Sequence, residues 1–162
     1  MLSKSEWSAA LKLSTLWNFR DIRQHAITRL SALPGPEGLT SVEKVGFAKA
    51  YKVPQWLLQG YQELVRRTKA ISTEEGRELG METVVGLYQV REQIAASTGV
   101  SGGGGGGGFV GGPGEYHHVY GSYGVKKRDD PSFVELVKKM FKEELEEVEA
   151  GSKFYEVYVK VV

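Results

Sequence analysis

Apolar residues over the first 97 positions recur at spacings of three and four, the period of a helix with one buried face. Trp7, Ala10, Leu11 and Ser14 share a face, with Leu13 and Leu16 beside it. Ile22, Ala26, Ile27 and Leu30 form a second stripe, and Val45, Ala48 and Tyr51 a third. Leu57, Tyr61, Leu64 and Val65 make the fourth, and Val84, Leu87, Tyr88 and Ile94 the last. Polar residues mark where these helices begin. Ser3 with Glu6, Thr40 with Glu43 and Ser72 with Glu75 have the capping-box spacing, in which a hydroxyl and a carboxylate satisfy each other's backbone N–H. Asn18 with Asp21 is a weaker start of the same kind, and Pro54 suits a first helical turn. Leu33–Leu39, with two prolines and two glycines, is a loop. The pattern predicts an all-α unit over residues 1–97: about six helices in antiparallel pairs around one modest core.

The helical period stops at Thr98. Residues 98–130 read as a Gly-rich flexible linker, because consecutive glycines lose more backbone entropy on ordering than any other residues. The run is not a phosphate loop: no Lys-Ser/Thr follows its last glycine and no strand precedes it. Residues 131–162 read as ordered again. Asp130-Pro131 is a good helix start. Phe133, Val137, Met140, Phe141, Leu145 and Val148 then lie on one helical face, and Gly151 is the expected stop. The tail SKFYEVYVKVV is rich in β-branched and aromatic residues and predicts a short strand.

Composition narrows the classes. The chain has 162 residues and a formal net charge of +1, so no global field draws it to nucleic acid or an anionic membrane. It has no cysteine, which removes disulfides, a thiol nucleophile and thiolate-bound zinc. No apolar run approaches the roughly 20 residues of a membrane span. Lys4, Glu6 and Lys12 interrupt any signal-peptide core. These features predict an intracellular protein, cytoplasmic or nuclear, with no membrane partner.

The candidate chemistry is thin. Trp7, Trp17 and Trp56 could form an aromatic binding surface, but all three fall among periodic apolar positions, so packing at helix contacts is the favoured reading. His117-His118 suggests a metal, yet adjacent side chains diverge and no third ligand follows; His25 stands alone. Tyr, His and Lys126-Lys127-Arg128 after the glycines could stack on single-stranded RNA, but Asp129-Asp130 offsets the charge. Lys142–Glu149 reads as a solvated acidic face, and Glu74-Glu75 as helix-start carboxylates. No catalytic, cofactor-binding or metal-ligating residue is assigned, and no cofactor is expected.

Three stretches carry a resemblance. EWSAALKLSTLWNFRDIRQHAITRL (Glu6–Leu30), SVEKVGFAKAYKVPQWLLQGYQELVRR (Ser41–Arg67) and ISTEEGRELGMETVVGLYQVRE (Ile71–Glu92) stand in order and at matching separations. Together, over about residues 5–97, they resemble the helical region that follows the BTB/POZ domain in a large family of fungal, mostly mushroom-type, proteins. The resemblance implies a BACK-like helical module and a non-enzymatic, protein-binding or scaffold role. It also implies that Met1 begins a truncated copy, since a BTB domain would precede this region. In such proteins that domain supplies most of the dimerisation, and in many the contact to a cullin-type ubiquitin ligase; no residue here carries either over. Leu2, Trp7 and Leu11, nearest the missing domain, are expected to be uncovered. The alternatives are a small enzyme of unknown reaction and a weak RNA binder acting through the linker.

Overall fold

A computed structural model of the chain describes residues 2–97 and 131–155. The linker expected over 98–130, and positions 156–162 of the expected strand, lie outside the described residues.

Among the described residues eight α-helices make an all-α fold: α1 (Lys4–Leu16), α2 (Arg20–Ala32), α3 (Ser41–Tyr51), α4 (Pro54–Arg66), α5 (Thr73–Leu79), α6 (Met81–Ser97), α7 (Pro131–Met140) and α8 (Lys142–Lys153). The three capping boxes form as their spacing predicts. At α3 the Thr40 N–H donates to Glu43 Oε2 at 2.8 Å, and the Glu43 N–H donates back to Thr40 Oγ1 at 3.2 Å. Ser3 with Glu6 opens α1, and Ser72 with Glu75 opens α5, in the same way. Pro54 is the first residue of α4.

Asn18 does something else. It takes a left-handed conformation, φ 54°, just past the end of α1. Its N–H donates to the Thr15 carbonyl at 3.4 Å, and the Phe19 N–H donates to the Ser14 carbonyl at 2.8 Å. That pair of bonds is a Schellman closure, and asparagine is the residue after glycine that tolerates its geometry best. Phe19, with no side-chain cap, precedes α2. The expected Asn18–Asp21 start is therefore a helix stop.

The helices pair as antiparallel hairpins, α1 with α2 and α3 with α4. Lys4 of α1 ties the two hairpins together by donating to Glu43 at 2.6 Å and to the Gly38 carbonyl at 3.2 Å. The α3–α4 crossing is close because Gly60 has no side chain. A Cβ there would meet Val45 Cγ2 at 2.7 Å and the Ser41 carbonyl oxygen at 2.9 Å. α4 is the centre of the molecule. It buries Trp56, Leu57, Tyr61, Leu64 and Val65 and touches α3, α6, α7 and α8. Two arginines close helix ends that no glycine closes. Arg23 of α2 donates to the Tyr51 and Lys52 carbonyls at 2.7 and 3.2 Å. Arg91 of α6 donates to the Leu64 and Arg67 carbonyls.

α7 and α8 share this core. Val137, Phe141 and Val148 are buried with the residues of α4 and α6. The sequence predicts one helix over Phe133–Val148, but the chain bends at Phe141, whose φ is −106° and ψ 26°. Gly151 does not stop α8, which continues to Lys153. The glycine serves contact instead: a Cβ at 151 would lie 2.8 Å from the Lys52 side chain. Ser152 and Lys153, expected in a strand, are thus helical, and Phe154–Tyr155 form a turn.

Candidate functional site

The three tryptophans, alike in sequence context, meet three fates. Trp56 is buried, and its indole N–H donates to Ser31 Oγ at 2.9 Å. Trp7 is half-buried against the His25 ring, 5.4 Å between centroids. Trp17 is 59% exposed, so the packing reading fails there. Its ring meets Phe19 edge-on at 5.9 Å, and Phe19 is itself half exposed. Leu13, Ile22 and, at 72%, Leu16 are exposed beside them. The cause lies in the turn. The Schellman closure at Asn18 reverses the chain within two residues, which leaves the last turn of α1 and the first of α2 facing out together. The result is an apolar patch on the order of 500 Å², at the upper end of what single globular chains expose. Leu11, expected to be uncovered, is fully buried in the core, while Leu2 is exposed as expected.

The second cluster is polar and joins four helices. Lys49 of α3 donates to Glu144 Oε1 of α8 and to Thr83 Oγ1 of α6, both at 3.0 Å. The Tyr61 hydroxyl of α4 donates to the other Glu144 oxygen. Burial, and then the Glu144 carboxylate, push the Tyr61 phenol far above its usual range. The phenol therefore stays protonated and donates to Glu144. Both Glu144 oxygens are engaged, one by Lys49 and the other by Tyr61. This cluster fastens helices.

Glu144 was readable in one respect. It lies three residues after Phe141 and four before Val148, on the buried face, yet the acidic run around it reads as solvated. Glu143, Glu146 and Glu149 are indeed exposed. Glu147 pairs with Lys52 at 2.9 Å, which holds its carboxyl below the usual range. At α5, Arg67 grips Glu75 with two bonds of 2.7 and 2.6 Å, and the Ser72 N–H adds a third. Arg67 first, then that N–H, bring the Glu75 pKa down to about 2. Glu74 beside it is exposed.

His25 is exposed and accepts from Arg29 Nε at 3.3 Å. His117-His118, Lys126–Arg128 and Asp129-Asp130 lie outside the described residues. Among the described residues no three His, Cys, Asp or Glu side chains converge as metal ligands, and no helix is long and apolar enough to cross a membrane. A groove of about 600 Å³ runs between the start of α6 and the α7–α8 bend, lined by Met81, Val85, Gly86, Met140 and Phe141. A smaller cavity of about 230 Å³ lies by Leu30, Leu39, Trp56 and Lys44, and this lysine is already paired with Glu63. No protein-family model, curated protein or solved structure matches the chain.

Proposed function

We propose that this chain is a non-enzymatic protein–protein interaction module, the BACK-like helical companion of a BTB-type protein, and that the turn between α1 and α2 is its contact surface. The observation that carries the reading is the grouping of Leu13, Leu16, Trp17, Phe19 and Ile22, all exposed, on one rigidly closed turn. Aromatic side chains present large contact area at small entropic cost and dominate interface energetics. A turn fixed by backbone hydrogen bonds holds them in place before the partner arrives, which lowers the cost of binding. The resemblance of residues 5–97 to the region after a BTB domain gives the partner a class: a folded protein domain with a complementary apolar face.

The test is a photo-reactive side chain at position 17 in the intact protein, expressed in the cells that make it. The expected result is one discrete protein adduct, missing when the same group is placed at exposed Thr68. Equal adducts from both positions, or none from position 17, would refute the reading.

A further inference from the structure

The bent α7–α8 segment is held by features of a bound ligand. Its contacts with the rest of the described chain fall mainly on α4 and α6, with polar links to α3 and to Lys52 just beyond it. Phe141 is its anchor. The ring stacks on Tyr61 with 4.0 Å between centroids and 25° between planes. It also lies against Gly86, where a Cβ would come within 2.9 Å of two ring carbons. Gly86 thus leaves a slot the width of an aromatic ring. Toward one end of the segment the Arg66 guanidinium sits 4.5 Å from the centre of the Phe133 ring. Toward the other, Lys49 and Lys52 receive Glu144 and Glu147.

Charge sorts the two sides. Residues 131–155 carry six glutamates against four lysines. The residues that receive the segment's polar and aromatic groups include Lys49, Lys52 and Arg66. We propose that α4 and α6, edged by Lys49 and Lys52, form a receptor groove for an amphipathic acidic helix, and that α7–α8 fills it as an intramolecular ligand. The partner in trans is a helix of another protein with the same face: an aromatic anchor, carboxylates three and six residues later, and an aliphatic residue at the seventh. Helix-in-groove recognition of this kind is read at such spacings. The internal helix belongs to the same chain as the groove, so an external helix competes only when the internal one is weakened or cut loose. This surface is distinct from the α1–α2 turn, and its use does not depend on that turn.

A protease site placed between residues 98 and 130 of the full chain supplies the test. After cleavage the two parts should co-elute at tens of micromolar. A fluorescent peptide of residues 131–155 should then displace the cut segment with a Kd of about 1–100 µM. In the uncut chain the same peptide should bind at least tenfold more weakly, because the groove is filled. Gly86→Val in the cut chain should reduce peptide affinity at least tenfold by closing the slot for Phe141. Loss of the helical signal of residues 1–97 on cleavage would overturn the proposal, since α7–α8 would then be an integral part of the fold. So would a cut chain that keeps its helices but never exchanges its segment for the peptide, or peptide binding untouched by Gly86→Val.

Discussion

Gly60 and Tyr61 are neighbours in α4, and each shows how one atom sets the geometry of a helix pair. At Gly60 a side chain would meet Val45 Cγ2 and, almost as closely, the Ser41 carbonyl oxygen, part of the α3 backbone. A side chain tip could rotate away; a backbone oxygen cannot without moving its helix. Gly60→Ala should therefore cost about 1–3 kcal/mol of stability even though alanine is the better helix former. Urea unfolding measures this, and an unchanged or higher midpoint would show that α3 and α4 separate freely. Tyr61 illustrates the reverse. Its hydroxyl can be removed without disturbing its ring, which stays on Phe141. Tyr61→Phe leaves Glu144 with Lys49 as its remaining donor, so the loss should be near 1 kcal/mol. Lys49→Met should cost more, because it leaves Glu144 partly buried and without a cation while Tyr61 remains protonated. The same unfolding series checks the order of the two, and equal losses would show that the three groups act independently.

At the scale of elements, the sequence was most legible where one local interaction decides the outcome. Ser3, Thr40 and Ser72 needed only a glutamate three residues on, and all three boxes formed. The buried stripe of α4 was equally plain, because its face has no competing apolar side. Reading failed where the deciding partner was remote. Gly151 looks like a helix stop until Lys52, about a hundred residues earlier, is seen to lie against it. Glu144 looks solvated until Tyr61 and Lys49 arrive from other helices. Leu16 and Trp17 look like core because periodicity identifies an apolar face but not what covers it. Element ends also carry a prediction about pH. Glu75 starts α5 and has a pKa of about 2, against an ordinary value of 4.5. The folded state thus favours the charged form. The stabilisation is complete above pH 4.5 and is lost as pH falls from there toward 2. Because the carboxylate side chain is 26% exposed, the contribution is discounted to about 1–2 kcal/mol. Wild-type stability should fall more steeply than that of Glu75→Gln between pH 4.5 and 2. Parallel curves for the two proteins would show that Arg67 gives Glu75 nothing in the folded state that it lacks in the unfolded one.

The described residues present an asymmetric surface. Ion pairs cross between helices over much of it: Lys4–Glu43, Lys44–Glu63, Lys49–Glu144, Lys52–Glu147 and Arg67–Glu75. The end formed by the α1–α2 turn instead presents Trp17, Phe19, Leu16, Leu13 and Ile22 to water. Without a partner, that end is the place where two copies should meet. Two patches of on the order of 500 Å² face to face would bury about 1,000 Å², the lower limit for a specific contact, so the association should be weak. The neighbouring charges do not oppose it, since exposed Lys12 and Asp21 have opposite signs and a two-fold arrangement can bring unlike charges together. Sedimentation of the intact chain should therefore show a reversible monomer–dimer equilibrium in the range of about 10–1,000 µM. Trp17→Glu should abolish it, because the interface would bury an unpaired carboxylate, while the helical signal and unfolding midpoint stay unchanged at so exposed a position. Leu11→Glu distinguishes this surface from the rest of α1. Leu11 is fully buried, so that substitution should unfold the α1–α2 hairpin instead of releasing a dimer. A dimer that survives Trp17→Glu would place self-association elsewhere, with the groove beside Met81 and Val85 as the next surface to alter.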